Sequence, residues 1–142
     1  HKYRVFEFGQ ENPYIYVSLA DEKLAYQIFS VWVCDANDDT DCIQADPDDA
    51  AFQQILDKAV AGCAFDYGVD VTTDDHILTL STCNYDWDEQ RLVVVARLVR
   101  EGEDASVDTS LAKKNENPRY PQIYYDKKGI ANPYRDAEKW KP

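Results

Sequence analysis

A cysteine ends the run Ile77-Leu78-Thr79-Leu80-Ser81-Thr82-Cys83, and eight residues later Arg91 opens the run Arg91-Leu92-Val93-Val94-Val95-Ala96-Arg97-Leu98. Both runs have the branched and apolar content of buried β-strands, and Leu92 to Val95 is apolar enough to lie centrally in a sheet. The residues between them, Asn84-Tyr85-Asp86-Trp87-Asp88-Glu89-Gln90, read as a polar turn. Two strands joined this way put a thiol at the end of one and a guanidinium at the start of its neighbour. A fixed positive charge favours the thiolate form of a nucleophile. It can also stabilise the oxyanion that develops in acyl transfer. The competing readings are a core cysteine at a strand end and an arginine paired with Asp86 or Asp88. The polar turn places Cys83 at a mouth, which favours chemistry.

Acyl transfer from a thioester needs a group to protonate the leaving amine, usually a histidine. His76 lies seven residues before Cys83 on the same predicted strand, so at about 3.3 Å per residue the two are roughly 23 Å apart. It reads as a surface residue at the strand start. The other histidine is His1.

The elements that must carry this pair are legible in part. Residues 13–19 and 24–33 are rich in β-branched and aromatic side chains, and Ala20-Asp21-Glu22-Lys23 between them has hairpin-loop length. They predict two antiparallel strands. Asp46-Pro47-Asp48-Asp49 predicts a helix start, with Asp46 as N-cap, Pro47 at the first helical position and acids in the first turn. Phe52, Ile55, Leu56, Ala59, Val60 and Cys63 follow as one apolar stripe, which makes Cys63 a small core residue. Gly68 to Val71 connects into the cysteine strand. Residues 101–116 are polar and mark the end of the main core. The segment from Asn117 onward carries aromatics and prolines as far as Trp140, and predicts an extended tail that wraps back onto the domain.

Composition narrows the function. The 142 residues suit one domain, and 44% apolar with 13% aromatic content excludes a disordered chain. A net charge of -12 argues against a nucleic-acid partner and against docking on an anionic membrane surface. No run of eighteen apolar residues is present. The four cysteines (34, 42, 63 and 83) include no CxxC pair, and with two histidines they disfavour a zinc site. No cofactor is expected. Cys34 and Cys42 bracket an acidic loop and could close a small disulfide in an oxidising compartment. That loop alternates Asp and Asn at 35, 37, 39 and 41 but lacks the glycine and glutamate of an EF-hand; it reads as solvated.

The segments Leu78 to Cys83 and Arg91 to Leu98 resemble the signature of sortases, class B in particular. Asn12 to Val17 and Tyr26 to Val31 resemble the paired strands in mid-domain, and the helix from Asp48 to Cys63 resembles the long helix that precedes the cysteine strand in class B. The resemblance covers about residues 3 to 100. It implies a mainly β fold with peripheral helices, a sortase β-barrel. It also implies a cysteine transpeptidase on the outer face of the cell membrane of a Gram-positive bacterium. Cys83 would attack the threonine carbonyl of a sorting signal on a surface protein, and a cell-wall or pilin amine would resolve the acyl-enzyme. Arg91 would stabilise the oxyanion and position the peptide, while Ser81 and Thr82 would line the groove. In this register Tyr3 to Phe8 match the end of a helix that follows the family's histidine loop. His1 is then not the catalytic histidine. The expectation is that residues 1–100 are the C-terminal part of the catalytic domain. The first barrel strands, the acid/base histidine and a membrane anchor would lie upstream, and residues 101–142 would be an extension packed back on the domain. Two rivals stand beside this reading. One is a non-catalytic sortase-like module for peptide binding or assembly. The other is a papain-like hydrolase, which is disfavoured because those enzymes place the cysteine at a helix start.

Overall fold

The computed structural model describes residues 2–37, 44–104, 106 and 108–136. The apolar run at 90–98 forms β5 (Gln90–Leu98), buried along nearly its whole length. It pairs antiparallel with the long β2 (Lys23–Asp35), from Tyr26 opposite Leu98 to Asp35 opposite Gln90. These two strands are the centre of the sheet. β2 is long enough for two strands to share its other edge: β1 (Tyr14–Ser18) pairs with Lys23 to Gln27, and β3 (Phe65–Asp66) with Ser30 and Val31. The predicted hairpin is present, its turn closed by the Leu19 amide donating to the Glu22 carbonyl at 2.9 Å. On the far side of β5 lies β4 (Ile77–Cys83).

A bulge decides which side chains face which layer. Ile28 is opposite Ala96 and Ser30 opposite Val95, so Phe29 is an extra residue on β2. A bulge shifts the alternation of a strand by one. Ile28 and Trp32, both even-numbered, therefore fall on opposite faces. One face packs Phe29, Trp32, Val93 and Val95 against Leu56 and Ala59 of the helix α2 (Asp49–Ala61). The other packs Ile28, Val31, Leu92, Val94 and Ala96 with Tyr67. Over this second layer lies the short helix α1 (Phe6–Glu11), whose Phe6 ring stacks on Tyr67. A Cβ at Gly9 would collide with the Tyr67 hydroxyl, so only glycine allows this approach.

The N-cap of α2 is Asp48, whose carboxylate accepts from the Ala51 amide at 2.8 Å. The sequence reading of Asp46 is corrected: its φ of 52° places it in a left-handed turn before the helix. Val60, predicted on the buried stripe, is 47% exposed, whereas Cys63 is buried as expected. The helix and sheet are also joined by Ser30 Oγ, which donates to the Ala59 carbonyl at 2.6 Å.

The architecture is mainly β with peripheral helices, as the sequence implies. Among the described residues the strands make one six-stranded sheet that is not closed. β4 has no partner along its outer edge there, and β6 (Lys113–Lys114) extends the opposite side by pairing with β3. The sequence missed β6. Past it the chain is tied to the end of α2: Asn115 Nδ2 donates to the Cys63 carbonyl at 2.8 Å, and the Arg119 amide to the Ala61 carbonyl at 2.9 Å. The segment read as extended then forms α3 (Gln122–Lys128). Cys42 and Trp140 lie outside the described residues, as does most of the acidic loop, and with them the Cys34–Cys42 pairing. Among the described residues no helix is long and apolar enough to cross a membrane.

The polar stretch after β5 does contribute to the fold. Arg97 is 1% exposed and donates to Gln27 Oε1 at 2.7 Å and to both Glu103 oxygens at 2.7 and 2.8 Å. Arg100 clasps Asp75 through two 2.7 Å bonds and reaches Asp70 at 2.8 Å, fixing the loop that leads into β4. The Arg97 hydrogen bond holds the Glu103 carboxyl at about 2, below its ordinary 4.5. A carboxyl lowered on folding stabilises fully above its unfolded value, and the effect is lost as the pH falls through the folded one. Glu103→Gln is expected to cost about 2 kcal/mol at pH 7, less than a fully buried pair because Glu103 is partly exposed. Urea denaturation checks this, and the deficit should shrink between about pH 4.5 and 2.

Candidate active site

Cys83 is the last residue of β4, and Arg91 is its direct cross-strand partner on β5. Residues opposite one another in an antiparallel pair project to the same face, with Cβ atoms about 5 Å apart. The juxtaposition expected from spacing is therefore present in the register. β4 itself is not the buried strand that the sequence suggested. It lies at the sheet edge, exposed from Leu80 to Cys83, and the Cys83 thiol is exposed. Arg91 also faces Cys34 on β2, so Cys34, Arg91 and Cys83 form a cross-strand row from the buried interior to the exposed edge.

The connecting turn is closed tightly. The Asn84 amide donates to the Gln90 carbonyl at 2.9 Å, and the Asp86 amide to Gln90 Oε1 at 2.9 Å. Glu89 has a φ of 61°, a left-handed conformation disfavoured for a residue with a side chain. Its carbonyl accepts from the Ala36 amide at 3.0 Å, which anchors it to the end of β2. The Arg91 guanidinium donates to Glu89 Oε2 at 3.1 Å and to the Gln90 carbonyl at 3.2 Å. Arg91 thus pairs with Glu89, not with the Asp86 or Asp88 suggested by the sequence. Asp86 is held instead by Arg4, with an Nη2 to Oδ2 distance of 2.7 Å. With its side chain 28% exposed, Arg91 keeps a guanidinium that a ligand can reach.

Ser81 is two residues from Cys83 and opposite Val93, on the same face as the thiol. Thr82 is opposite Leu92 and alternates to the other face, so the two do not line one groove. Sequence reasoning missed a cavity of about 560 Å³ on the Cys83 face, between the start of α2 and the start of β4. Phe52, Ile55, Ile77 and Thr79 line it, with Asp49 and His76. The two-residue periodicity of Ile77, Thr79, Ser81 and Cys83 was the available signal. It makes one continuous strip from this cavity to the thiol. His76 immediately precedes β4, at the opposite end from Cys83, as expected. Among the described residues no cluster of three His, Cys, Asp or Glu side chains is placed to hold a metal ion.

A sortase domain model matches residues 3–99. The chain belongs to the sortase family. Among known proteins it is similar to sortase B of Staphylococcus aureus, 32% identical over 102 residues that cover 70% of this chain and 37% of that protein. Among solved structures it is similar to Clostridium perfringens sortase B, with a TM-score of 0.62, 29% identity, and coverage of 69% of this chain and 55% of that one. The Staphylococcus aureus sortase B–substrate complex is similar with a TM-score of 0.61 and 30% identity, over 71% of this chain and 47% of that one. This sortase chain thus spans about half the length of the solved relatives it matches.

The thiols differ sharply in environment. Burial pushes the Cys63 thiol up, and it donates to the Phe65 carbonyl at 2.7 Å. In the native protein iodoacetamide should therefore label Cys83 at least about a hundredfold faster than Cys63, measured by peptide mapping. Equal rates would remove the exposed thiol from the site.

Proposed function

We propose that this sortase chain carries the nucleophile and the oxyanion-stabilising residue of a class B-like cysteine transpeptidase. The observation that supports this best is the direct opposition of an exposed Cys83 and a reachable Arg91 at the edge of a sortase-type sheet. In this reading a sorting-signal peptide lies along the β4 strip. The Cys83 thiolate attacks the scissile threonine carbonyl carbon, and the carbonyl π electrons move onto oxygen. Arg91 turns from Glu89 to donate to that oxyanion, a group that carries full charge only during the reaction. Collapse of the tetrahedral species breaks the C–N bond, releases the C-terminal part of the signal as an amine and leaves a thioester. A cell-wall or pilin amine then attacks the thioester and restores the thiol. The proton for the leaving amine comes from a group other than His76, which lies at the wrong end of β4. The setting is the outer face of the membrane of a Gram-positive bacterium.

Cys83→Ala in the full protein should abolish the thioester adduct seen by mass spectrometry with a sorting-signal peptide. Arg91→Ala should lower kcat about 10²- to 10³-fold, the usual cost of one oxyanion donor, while leaving the exposed thiol open to alkylation. Undiminished transfer by Cys83→Ala would sink the reading.

The position of His76 favours a second reading, a sortase-like module that binds peptides without chemistry. It requires a thiol at Cys83 that stays inert toward substrate-like electrophiles in the full-length protein, and peptide affinity that Cys83→Ala does not change.

A further inference from the structure

The turn between Cys83 and Arg91 is held from both ends of the chain. From the N-terminal side, Arg4 donates through Nη1 to Asn84 Oδ1 at 3.0 Å and through Nη2 to Asp86 Oδ2 at 2.7 Å. Asn84 directly follows the candidate nucleophile and is only 3% exposed. From the C-terminal side, the Tyr124 ring of α3 meets the Trp87 indole edge-on, with centroids 6.2 Å apart. Tyr124 is in turn stacked on Tyr120 at 4.0 Å and braced by Tyr125, which is buried. Trp87 sits at the middle of the turn and is 7% exposed, while Tyr85 two residues away is 82% exposed. The turn therefore faces solvent on one side and rests on aromatic rings on the other.

Behind it remains a cavity of about 300 Å³, bordered by Arg4, Trp87, Gln90, Tyr120 and Tyr124. The Trp87 indole borders this space and meets the Tyr124 ring of α3. The path to α3 is secured by the bonds from Asn115 and Arg119 to the end of α2, and Tyr134 donates to the Asn117 carbonyl at 2.7 Å. All of these contacts except Arg4 come from beyond residue 99, outside the sortase-matched segment.

We propose that the C-terminal segment and Arg4 together clamp the Cys83–Arg91 turn from its two sides, with Trp87, Tyr124 and Arg4 as positioning residues for the thiol and the guanidinium. The inference rests on the reading of Cys83 and Arg91 as the reacting pair. The physical link is short. Arg91 is oriented by Glu89 and by the Gln90 carbonyl, both in the turn, and Asn84 is covalently next to Cys83. A turn released from its rings moves all of them, and a displacement of about 1 Å at reacting groups costs on the order of a hundredfold in rate.

The test compares the wild-type full protein with Tyr124→Ala, Tyr124→Phe and Arg4→Gln. Tyr124→Ala should speed amide exchange across Asn84 to Gln90 by at least about tenfold, with Val93 to Val95 unchanged. The Cys83 alkylation rate should shift at least about threefold, and kcat should fall on the order of a hundredfold with KM within about twofold. Tyr124→Phe keeps the ring contact and should restore wild-type values. Arg4→Gln, which alters a half-exposed side chain, should loosen the same turn even if the ring variant folds poorly. Unchanged exchange in the turn in either a folded Tyr124→Ala or Arg4→Gln overturns the clamp. So does exchange that rises equally through the sheet. Because exchange and alkylation need no substrate, a protein that shows the clamp but transfers no peptide refutes the transpeptidase reading alone.

Discussion

The pairing of β2 with β5 is the constraint on which the remaining structure depends. It sets the centre of the sheet, supplies both core faces and fixes where every neighbouring strand can attach. The bulge at Phe29 is the critical detail, because it lets one strand contribute Trp32 to the helix layer and Ile28 to the opposite layer. Without that extra residue, half of β2 would present its side chains to the wrong side. The row Cys34–Arg91–Cys83 inherits its facing from this register. The placement of Cys83 and Arg91 at the edge is thus set by a pairing decided in the core.

Stability and site geometry meet at the two ends of β5. At its C-terminal end, Arg97 and Arg100 bind carboxylates from the loops before β4 and after β5, which fixes where β4 begins. At its N-terminal end, Arg91 is gathered into the turn by Glu89. In the first set the buried Arg97 has both terminal nitrogens bonded, to Gln27 and Glu103, while Arg100 pairs with Asp75 and Asp70 nearer the surface. The second is partly open and can exchange its carboxylate for another oxygen. One strand therefore carries an arginine buried in the fold and one partly open at the sheet edge, separated by the apolar run between them.

The central features were readable because they are local. The Leu92 to Val95 run announces a buried strand, the α2 stripe announces its packing face, and the spacing of Cys83 and Arg91 around a polar turn announces their opposition. The sortase resemblance drawn from those segments agrees with the family match over residues 3–99. What escaped was non-local or ambiguous. Two aspartates flank Pro47, and the proline signal drew the N-cap to the wrong one. Ile77 to Leu80 looks buried by composition, yet an edge strand can be as apolar as a central one. The bulge cannot be seen in a stretch that is apolar on both faces. Arg4 meets Asn84 across eighty positions, and Trp87 meets Tyr124 between segments with no shared pattern. No window on the sequence contains both members of those pairs.

The outer edge of β4 has a further consequence. From Ile77 to Cys83 it carries no charge, no proline and no bulge, and Leu80 is 43% exposed. Protein edges are usually guarded by such features, because unsatisfied amides and carbonyls recruit another strand. Among the described residues that edge is uncovered, and a general guard is the acidic charge of the chain, -12 in net, which keeps like molecules apart. That protection is electrostatic and therefore conditional: salt screens it and acid removes it. Edge-to-edge association through this strand, which ends in the candidate nucleophile, would therefore depend on the ionic medium.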